Sequence, residues 1–162
     1  MEKVSKNHKT YFYEILHMKR KLINFAISAV IIMVLLPDTF ASSEGIKWYS
    51  HDEGIATGHS QEKKIYINLH ADWCAPCKYM EKTTFSNPTV IAYLNKHFIS
   101  IKVDVDKEKK ISNKYGAIAI PDNWFLFKNG DPIGRRKGYI EPDTFIKILK
   151  TVQEDIGEKK KD

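Results

Sequence analysis

The two cysteines of the sequence, Cys74 and Cys77, are the side chains best suited to chemistry, and two residues separate them. That spacing allows a disulfide to close a small ring. The pair follows a strand-like apolar run that begins at Ile65 and breaks at Ala71–Asp72, so we expect it where a helix begins. Pro76 fits the first turn of a helix, where its missing N–H has no partner in any case. Free N–H groups and the positive end of the helix dipole favour a thiolate, so we expect a nucleophilic Cys74 and a more protected Cys77.

A Cys-x-x-Cys pair is by itself ambiguous, because half of a structural zinc site has the same spacing. A tetrahedral zinc site would need two further ligands from six histidines, and none of these form an H-x3-5-H pair. A static structural disulfide is the second alternative. Redox exchange is the favoured interpretation, and it needs no metal and no cofactor beyond the Cys74–Cys77 couple.

The composition limits the classes of function. With 162 residues, 43% of them hydrophobic and 28% charged, the chain is long enough for one domain with a core. The formal net charge of +6 would suit a nucleic acid, but from Ser42 onward there are 20 basic and 17 acidic residues. The other basic residues precede a hydrophobic segment: Lys3, Lys6, Lys9, Lys19, Arg20 and Lys21. We see no basic stripe with interleaved aromatic residues and therefore expect no nucleic-acid partner.

The N-terminal part of the sequence has the pattern of an export signal. The hydrophobic core at 22–36 follows Lys19–Lys21, and Thr39 and Ala41 give the small-x-small pattern of a signal peptidase site, with cleavage after Ala41. Fifteen residues are fewer than the roughly 20 needed to span a membrane, which favours a cleaved signal over a signal anchor. Either version predicts an exported protein, in the periplasm or on the extracytoplasmic face of the membrane.

The expected domain boundaries follow from this leader. Residues 1–41 form the leader, residues 42–157 one domain, and residues 158–162 a frayed charged tail. Met18 is a second candidate for the start of translation beside Met1, because Lys19–Lys21 would form a compact n-region behind it.

The hydrophobic periodicity predicts alternating strands and helices. The expected strands are Ile46–Tyr49, Ile65–His70, Phe98–Asp104, Asn123–Lys128 and Ile133–Tyr139. The expected helices run from Ser50 or Asp52 toward Gly58, over Cys74–Thr84, from Pro88 with Ser86 or Asn87 as cap, over Lys107–Tyr115, and from Glu141–Pro142 through Val152. Asn129–Gly130 between two apolar runs predicts an antiparallel hairpin, and Trp48 is expected to pack in the core.

From Trp48 to Ile156 the order of elements resembles the thioredoxin family: a strand, a Trp-Cys-x-x-Cys helix, a β–α crossover, Ile-Pro before a hairpin, and a final helix. Within it, Ala71–Pro88 carries A-D-W-C-x-x-C-K-x-x-E and then T-F-S-x-P, which resembles the C-terminal periplasmic domain of the DsbD family. The resemblance implies a single α/β domain of thioredoxin fold, with a central mixed β-sheet flanked by helices. It also implies protein disulfide substrates, a membrane or soluble thiol as electron donor, and a monomer.

The resemblance assigns roles to particular residues. Cys74 matches the attacking cysteine and Cys77 the resolving one. Pro121 matches a proline with a cis peptide bond beside the active site, which would expose the Ile120 backbone to an extended substrate. Trp73 and Ile120 are thereby expected to contact substrate. A trans proline at the entry of a strand is the alternative for Pro121.

Glu81 matches an acidic residue of the family and has support from spacing. It lies four residues after Cys77 and seven after Cys74, so all three share one face of a helix. A partly buried carboxylate there could accept or return the proton of Cys77. The alternative is a surface glutamate paired with Lys78 or Lys82.

Three residues depart from the thioredoxin pattern and are expected to tune the site. Asn68 stands where thioredoxins carry a buried aspartate, and it cannot take a proton at neutral pH. His70, if protonated, would favour the Cys74 thiolate; a plain polar histidine is the alternative. Asp122 stands where threonine is usual, and a carboxylate near the sulfurs would oppose the thiolate or select basic partners.

Together these patterns predict an exported thiol–disulfide oxidoreductase that acts on proteins in cell-envelope redox homeostasis. Ala75–Pro76 and Ile120 resemble reductive members of the family, which favours a reductase over an oxidase. A thioredoxin-fold adaptor or chaperone that binds peptides without redox turnover is the alternative from another class, and a reductant dedicated to cytochrome c maturation is a third.

Overall fold

The structure is a computed structural model, and it describes residues 18–21, 24 and 45–154. The expected signal core at 22–36, apart from Asn24, the cleavage after Ala41 and the tail at 158–162 lie outside these residues and stay predictions. The choice between Met1 and Met18 and the outer domain boundaries are likewise untested. Within the described ranges, no helix combines the length and the apolar character needed to cross a membrane.

Five strands form one mixed sheet in the order β1-β3-β2-β4-β5. They are β1 Trp48–Tyr49, β2 Lys64–His70, β3 Phe98–Asp104, β4 Asp122–Leu126 and β5 Pro132–Lys137. Strand β3 runs parallel to both β1 and β2, whereas β4 runs antiparallel to β2 and to β5. The predicted mixed sheet and the predicted hairpin between the last two strands are both confirmed.

Residues 45–154 form five helices: α1 His51–Ser60, α2 Ala75–Thr83, α3 Pro88–His97, α4 Lys109–Lys114 and α5 Pro142–Glu154. Asn87 caps α3, since its side-chain oxygen accepts hydrogen bonds from the N–H groups of Thr89 and Val90. Helix α4 begins two residues later than predicted, because the Asp104 carboxylate accepts the N–H groups of Asp106 and Lys107 and holds them in a turn.

The sheet separates two apolar layers, as expected for side chains that alternate along a strand. On one side Tyr66 of β2 packs with Phe85, Phe125 and Phe145 beneath α2, α3 and α5. Trp48 packs edge-on against Phe85 at a ring distance of 5.2 Å, which confirms its expected place in the core. The other layer consists of aliphatic residues and Tyr115: Ile65, Ile67, Leu69, Ile99, Ile101, Val103, Tyr115 and Leu126.

Helix α1 packs against this second layer through two glycines. A Cβ atom at Gly54 would lie 2.2 Å from Cγ1 of Ile101, and one at Gly58 would lie 2.5 Å from Cγ1 of Ile65. Gly54 lowers the intrinsic helix propensity, as the sequence indicated, but the close approach of helix and sheet requires it. Helix α1 therefore packs on one face of the sheet, and α2 packs on the other.

Candidate active site

Cys74 and Cys77 form a disulfide with an S–S distance of 2.09 Å. Cys74 is the N-cap residue of α2, Pro76 lies in the first turn, and the Cys77 N–H donates to Cys74 Sγ at 3.2 Å. The predicted strand–turn–helix geometry is therefore confirmed. A donor N–H aimed at Cys74 Sγ and the positive end of the helix dipole both stabilise negative charge on that sulfur once the disulfide is reduced.

Both cysteines are buried in the disulfide state, Cys74 with 3% and Cys77 with 7% of the residue exposed. Which of the two thiols is the more protected stays a prediction. Ala71 forms one buried cluster with both sulfurs, and Val105 and Ile120 pack against it. Two apolar side chains from neighbouring loops thus cover the disulfide, which periodicity along α2 could not indicate.

The peptide bond between Ile120 and Pro121 is cis, as the resemblance implied. Within the described part of the chain, no hydrogen bond reaches the backbone N–H or C=O groups of Ile118, Ala119 or Ile120. Ile118 itself is 91% exposed, which is unusual for an isoleucine. Sequence reasoning missed this residue, and the signal was a lone large apolar side chain between two alanines just after the helix stop at Gly116.

Trp73 directly precedes Cys74 and is 69% exposed. Its indole N–H donates to Asp106 at 2.7 Å, and Asp106 also pairs with Lys109 at 3.2 Å. The neighbouring Asp104 has its pKa lowered to about 2, chiefly by the hydrogen bond from Lys107. The loop after β3 therefore holds the indole by its N–H while its apolar face stays open to solvent.

A pocket of about 220 Å³ lies beside Cys77 and brings together several predicted site residues. The polar groups that line it include Asn68, His70, Glu81 and Lys102. Glu81 accepts a hydrogen bond from Lys102 Nζ at 2.8 Å, so the alternative of a surface glutamate paired with Lys78 or Lys82 is not found. The register of the sheet explains the partner, because Lys102 of β3 lies directly opposite Asn68 of β2, below α2.

Asn68 is 2% exposed and fully engaged in a network of amides. Its side-chain N–H donates to Asn123 Oδ1 at 3.1 Å, and the Tyr66 hydroxyl donates to the same oxygen at 2.6 Å. Asn123 in turn donates to the carbonyl groups of Arg136 and Gly138. Asn68 is thus hydrogen-bonded, and Asn123 is a buried polar residue that the sequence did not single out.

Burial lowers the pKa of His70 below its ordinary value, and the charge of Lys102 lowers it further. A lowered pKa favours the neutral imidazole, so of the two alternatives for His70 the structure favours the plain polar histidine at the end of a strand. Burial is the first cause, and Lys102 of the adjacent strand, which lines the same pocket, is the second.

Asp122 is completely buried, and its carboxylate is paired with the guanidinium of Arg135. Arg135 Nε donates to both carboxylate oxygens, at 2.8 and 3.0 Å, and Arg135 Nη2 also bonds Asp122 Oδ2. A buried carboxylate neutralised in this way cannot select basic partners, so that expectation is wrong. Its effect on a thiolate is offset by the guanidinium that accompanies it.

Among the described residues, no group of three or more His, Cys, Asp and Glu side chains is arranged to hold a metal ion. The reacting group is the disulfide itself, joined to a helix start, flanked by apolar side chains and backed by a polar pocket. Fold and site together define a thiol–disulfide oxidoreductase built on the thioredoxin fold.

Residues 52–153 match the model of the thioredoxin-like domain family, and the chain belongs to this family. It is 32% identical to thioredoxin-1 of Caenorhabditis elegans over 108 residues, which cover 66% of this chain and 89% of that protein. It is 30% identical over 93 residues to the chloroplastic thioredoxin Y of rice, Oryza sativa subsp. japonica; the match covers 57% of this chain and about half, 53%, of that relative.

The DsbD resemblance is also found. The chain is 26% identical over 104 residues to the thiol:disulfide interchange protein DsbD of Vibrio vulnificus, a match that covers 60% of this chain and 17% of that protein. Among solved structures, a thioredoxin from Thermus thermophilus superposes with a TM-score of 0.64 at 24% identity, covering 70% of this chain and 92% of that one. That likeness supports the fold.

Proposed function

We propose that this protein is an exported protein-disulfide reductase that acts in redox homeostasis of the cell envelope. The Cys74 thiolate attacks one sulfur of a substrate disulfide and expels the other as a thiolate, which takes up a proton. Cys77 then attacks Cys74 of the mixed disulfide, which releases the second substrate thiol and closes the Cys74–Cys77 bond. Two electrons and two protons pass to the substrate, and a membrane or soluble dithiol donor returns them.

The observation that carries this proposal is the position of Cys74 Sγ, which caps α2 and accepts the Cys77 N–H at 3.2 Å. Stabilising negative charge on this sulfur raises the fraction of Cys74 present as thiolate, the nucleophilic form, when the pair is reduced. A static structural disulfide would need neither the apolar rim nor the polar pocket that surround this bond.

The surface around the disulfide suits an extended polypeptide as substrate. Trp73 and Ile118 present exposed apolar area, and Ile120 packs against the cluster that contains both cysteines. The backbone groups of residues 118–120, which make no hydrogen bond within the described chain, can bond to a strand laid beside them. Main-chain contacts of this kind are sequence-tolerant, which fits a reductase with several protein clients.

Glu81 is proposed to serve Cys77 rather than Cys74. Both line the same polar pocket, and Lys102 holds the carboxylate there at 2.8 Å. In reduction of a substrate, Cys77 must lose a proton before it attacks the mixed disulfide, and a carboxylate or a water beside it can accept that proton.

The direction of electron transfer and the location of the protein in the cell are proposed from the sequence and from its relatives. Ala75–Pro76 between the cysteines and Ile120 before Pro121 are similar to reductive members of the family, and the DsbD relative carries interchange in its name. The pattern of a basic n-region, a hydrophobic core and Ala41 supports export. Fusion of residues 1–41 to a phosphatase that is active only outside the cytoplasm tests export, and an inactive fusion would contradict it.

Insulin reduction with dithiothreitol, together with the reduction potential of the couple, tests the enzymatic proposal. We expect turnover that the Cys74→Ser variant lacks, and a potential near roughly −270 mV. A potential near about −120 mV would instead indicate an oxidase. If the wild type shows no turnover while the Cys74→Ser variant still binds reduced insulin chains, the protein is a peptide-binding adaptor and the proposal is wrong.

A further inference from the structure

The segment that covers the disulfide on one side, residues 116–121, is here called the Ile118 loop. It connects α4 to β4 and carries Ile118, almost fully exposed, and Ile120, which packs against the cysteines. At its beginning, the N–H groups of Gly116 and Ala117 bond back to the end of α4, with Gly116 at φ +56°. Along residues 118–120 the backbone makes no hydrogen bond within the described chain.

One side chain from another element contacts both ends of this loop. Arg135 of β5 donates from Nη2 to the Gly116 carbonyl oxygen at 2.9 Å, where the loop begins. It also donates from Nε to both oxygens of Asp122, at 2.8 and 3.0 Å, where the loop ends. Asp122 directly follows Pro121, so a single guanidinium bridges the two anchor points of the loop.

The position of Arg135 is itself fixed by packing. Its guanidinium lies over the ring of Trp124, 4.7 Å from the centroid, and Trp124 packs on Tyr115 at 5.4 Å. Trp124 and Arg135 are direct partners in the β4–β5 register. The pairing with Asp122 raises the pKa of Arg135 further above its ordinary value, so the charge persists at every accessible pH. The guanidinium is therefore held in one orientation as well as in one place.

The alternative is that the buried Arg135–Asp122 ion pair only stabilises the fold. The geometry indicates that it also positions the loop. Asp122 is completely buried, and a bidentate contact with Arg135 would satisfy it without the third bond to Gly116. That third bond joins a carbonyl 19 positions away in sequence, on the far side of the loop. A lysine could neutralise Asp122 as a point charge, but it lacks the planar fork that reaches both anchors.

We propose that Arg135 is a positioning residue for substrate binding: by bridging Gly116 and Asp122 it holds the Ile118 loop in the shape that presents Ile118 and Ile120 to a protein substrate. The inference rests on the proposed reductase function for its activity readout. Arg135 contacts neither the sulfurs nor the polar pocket. Its loss therefore raises KM for protein disulfides and leaves both the reduction potential and the reaction with a small aromatic disulfide unchanged.

The test compares Arg135→Lys with Arg136→Lys, a matched control on the next residue of β5, where the side chain is exposed. We expect Arg135→Lys to raise KM for insulin roughly tenfold, as loss of a charge-assisted hydrogen bond predicts, with kcat within about twofold. Amide hydrogen exchange at Gly116 and Ala117, whose N–H groups donate to the Asn113 and Ser112 carbonyls, should become roughly tenfold faster in the same variant. The reaction with 5,5′-dithiobis(2-nitrobenzoate) and the reduction potential should match the control.

Two results would overturn the proposal: equal losses with insulin and with the small disulfide, or unchanged exchange at Gly116 and Ala117. If the wild type fails to reduce insulin, the proposed function is wrong, while the exchange comparison still decides whether Arg135 holds the loop. Should Arg135→Lys fail to fold, a second measurement uses protein that keeps Arg135. In the Cys77→Ser variant, trapping an insulin chain on Cys74 should slow exchange of the Arg135 Nε–H, and no change would refute the coupling.

Discussion

Lys102 Nζ lies 2.8 Å from Glu81 Oε2, so a cation of the central sheet pairs with a carboxylate of the helix that carries both cysteines. Glu81 belongs to α2 and Lys102 to β3, and the pair lines the pocket beside Cys77. Asn68, the residue opposite Lys102 in the sheet, supplies no carboxylate of its own. Helix α2 therefore provides the acidic group that β2 lacks.

Replacing this carboxylate should slow the second half of the reaction. We expect Glu81→Gln to slow resolution of the mixed disulfide roughly tenfold or more, because the Cys77 thiol loses its proton acceptor. The first step, attack by Cys74, should keep its rate. Stopped-flow kinetics of single turnover with a fluorescent disulfide peptide separates the two steps.

Glu53→Gln is the matched control, since Glu53 is exposed on α1. The dependence of the resolution rate on pH gives an independent measure. The profile should differ between the wild type and Glu81→Gln, because only the wild type has a carboxylate in the pocket beside Cys77. Equal pH profiles in the two proteins would show that water, and not Glu81, handles the proton.

The stability of the protein should fall in mild acid because of His70. Burial and Lys102 lower its pKa in the folded state, so the unfolded state binds the proton more readily between the folded and the unfolded pKa. The free energy of unfolding therefore decreases as pH falls below about 6.5, the ordinary value for histidine. Urea titrations at pH 7.5 and pH 5 measure the decrease, which should be smaller in His70→Asn.

The variant Lys102→Met tests whether the charge of Lys102 lowers the pKa of His70. Removing the cation should raise the pKa of His70, measurable by NMR titration of the imidazole, since the remaining neighbours Asp72, Glu81 and Asp104 are acidic. His97 also has a lowered pKa, from burial and from Lys96 and Lys63, but it lies at the end of α3 and should not respond. A pKa of His70 that stays constant in Lys102→Met would contradict the assignment.

The close packing of α1 on the sheet predicts a stability effect that runs against helix propensity. Alanine is favoured over glycine in a helix by about 1 kcal/mol, yet a Cβ at Gly54 would meet Ile101 at 2.2 Å. Overpacking of this kind costs about 1 to 3 kcal/mol, so we expect Gly54→Ala to be destabilising. Gly45→Ala is the control, because a Cβ there meets nothing within 4 Å. Chemical denaturation of both variants gives the comparison.

Local patterns in the sequence were sufficient for the framework of the fold and for the reacting pair. The alternation from Phe98 to Asp104, the turn at Asn129–Gly130 and the two-residue spacing of the cysteines each depend on neighbours only, and each is found as predicted. Contacts within one element or one hairpin turn are encoded by spacing, because backbone geometry fixes which side chains meet.

The electrostatics of the site depended instead on register between elements. The spacing offered Glu81 only the partners Lys78 and Lys82 on its own helix, yet its partner comes from β3, 21 positions away. Asp122 was expected to face the sulfurs, but the pairing of β4 with β5, which contains an irregularity at Phe125–Leu126, places Arg135 against it. A shift of one residue in a strand moves a side chain to the other face, so such partners follow from the assembled sheet and not from composition.

The exposed side chain of Ile118 leads to the last prediction, which concerns substrate affinity. At 91% exposure its removal should cost almost nothing in stability, because there is almost no buried area to lose. If the side chain packs on protein substrates, Ile118→Ser should raise KM for insulin severalfold, on the scale of about 1 kcal/mol for a partly buried aliphatic group. The small aromatic disulfide should react at the wild-type rate. Asn113→Ser, exposed on α4 shortly before the loop, is the control. Unchanged KM with insulin would show that Ile118 does not contribute to substrate binding.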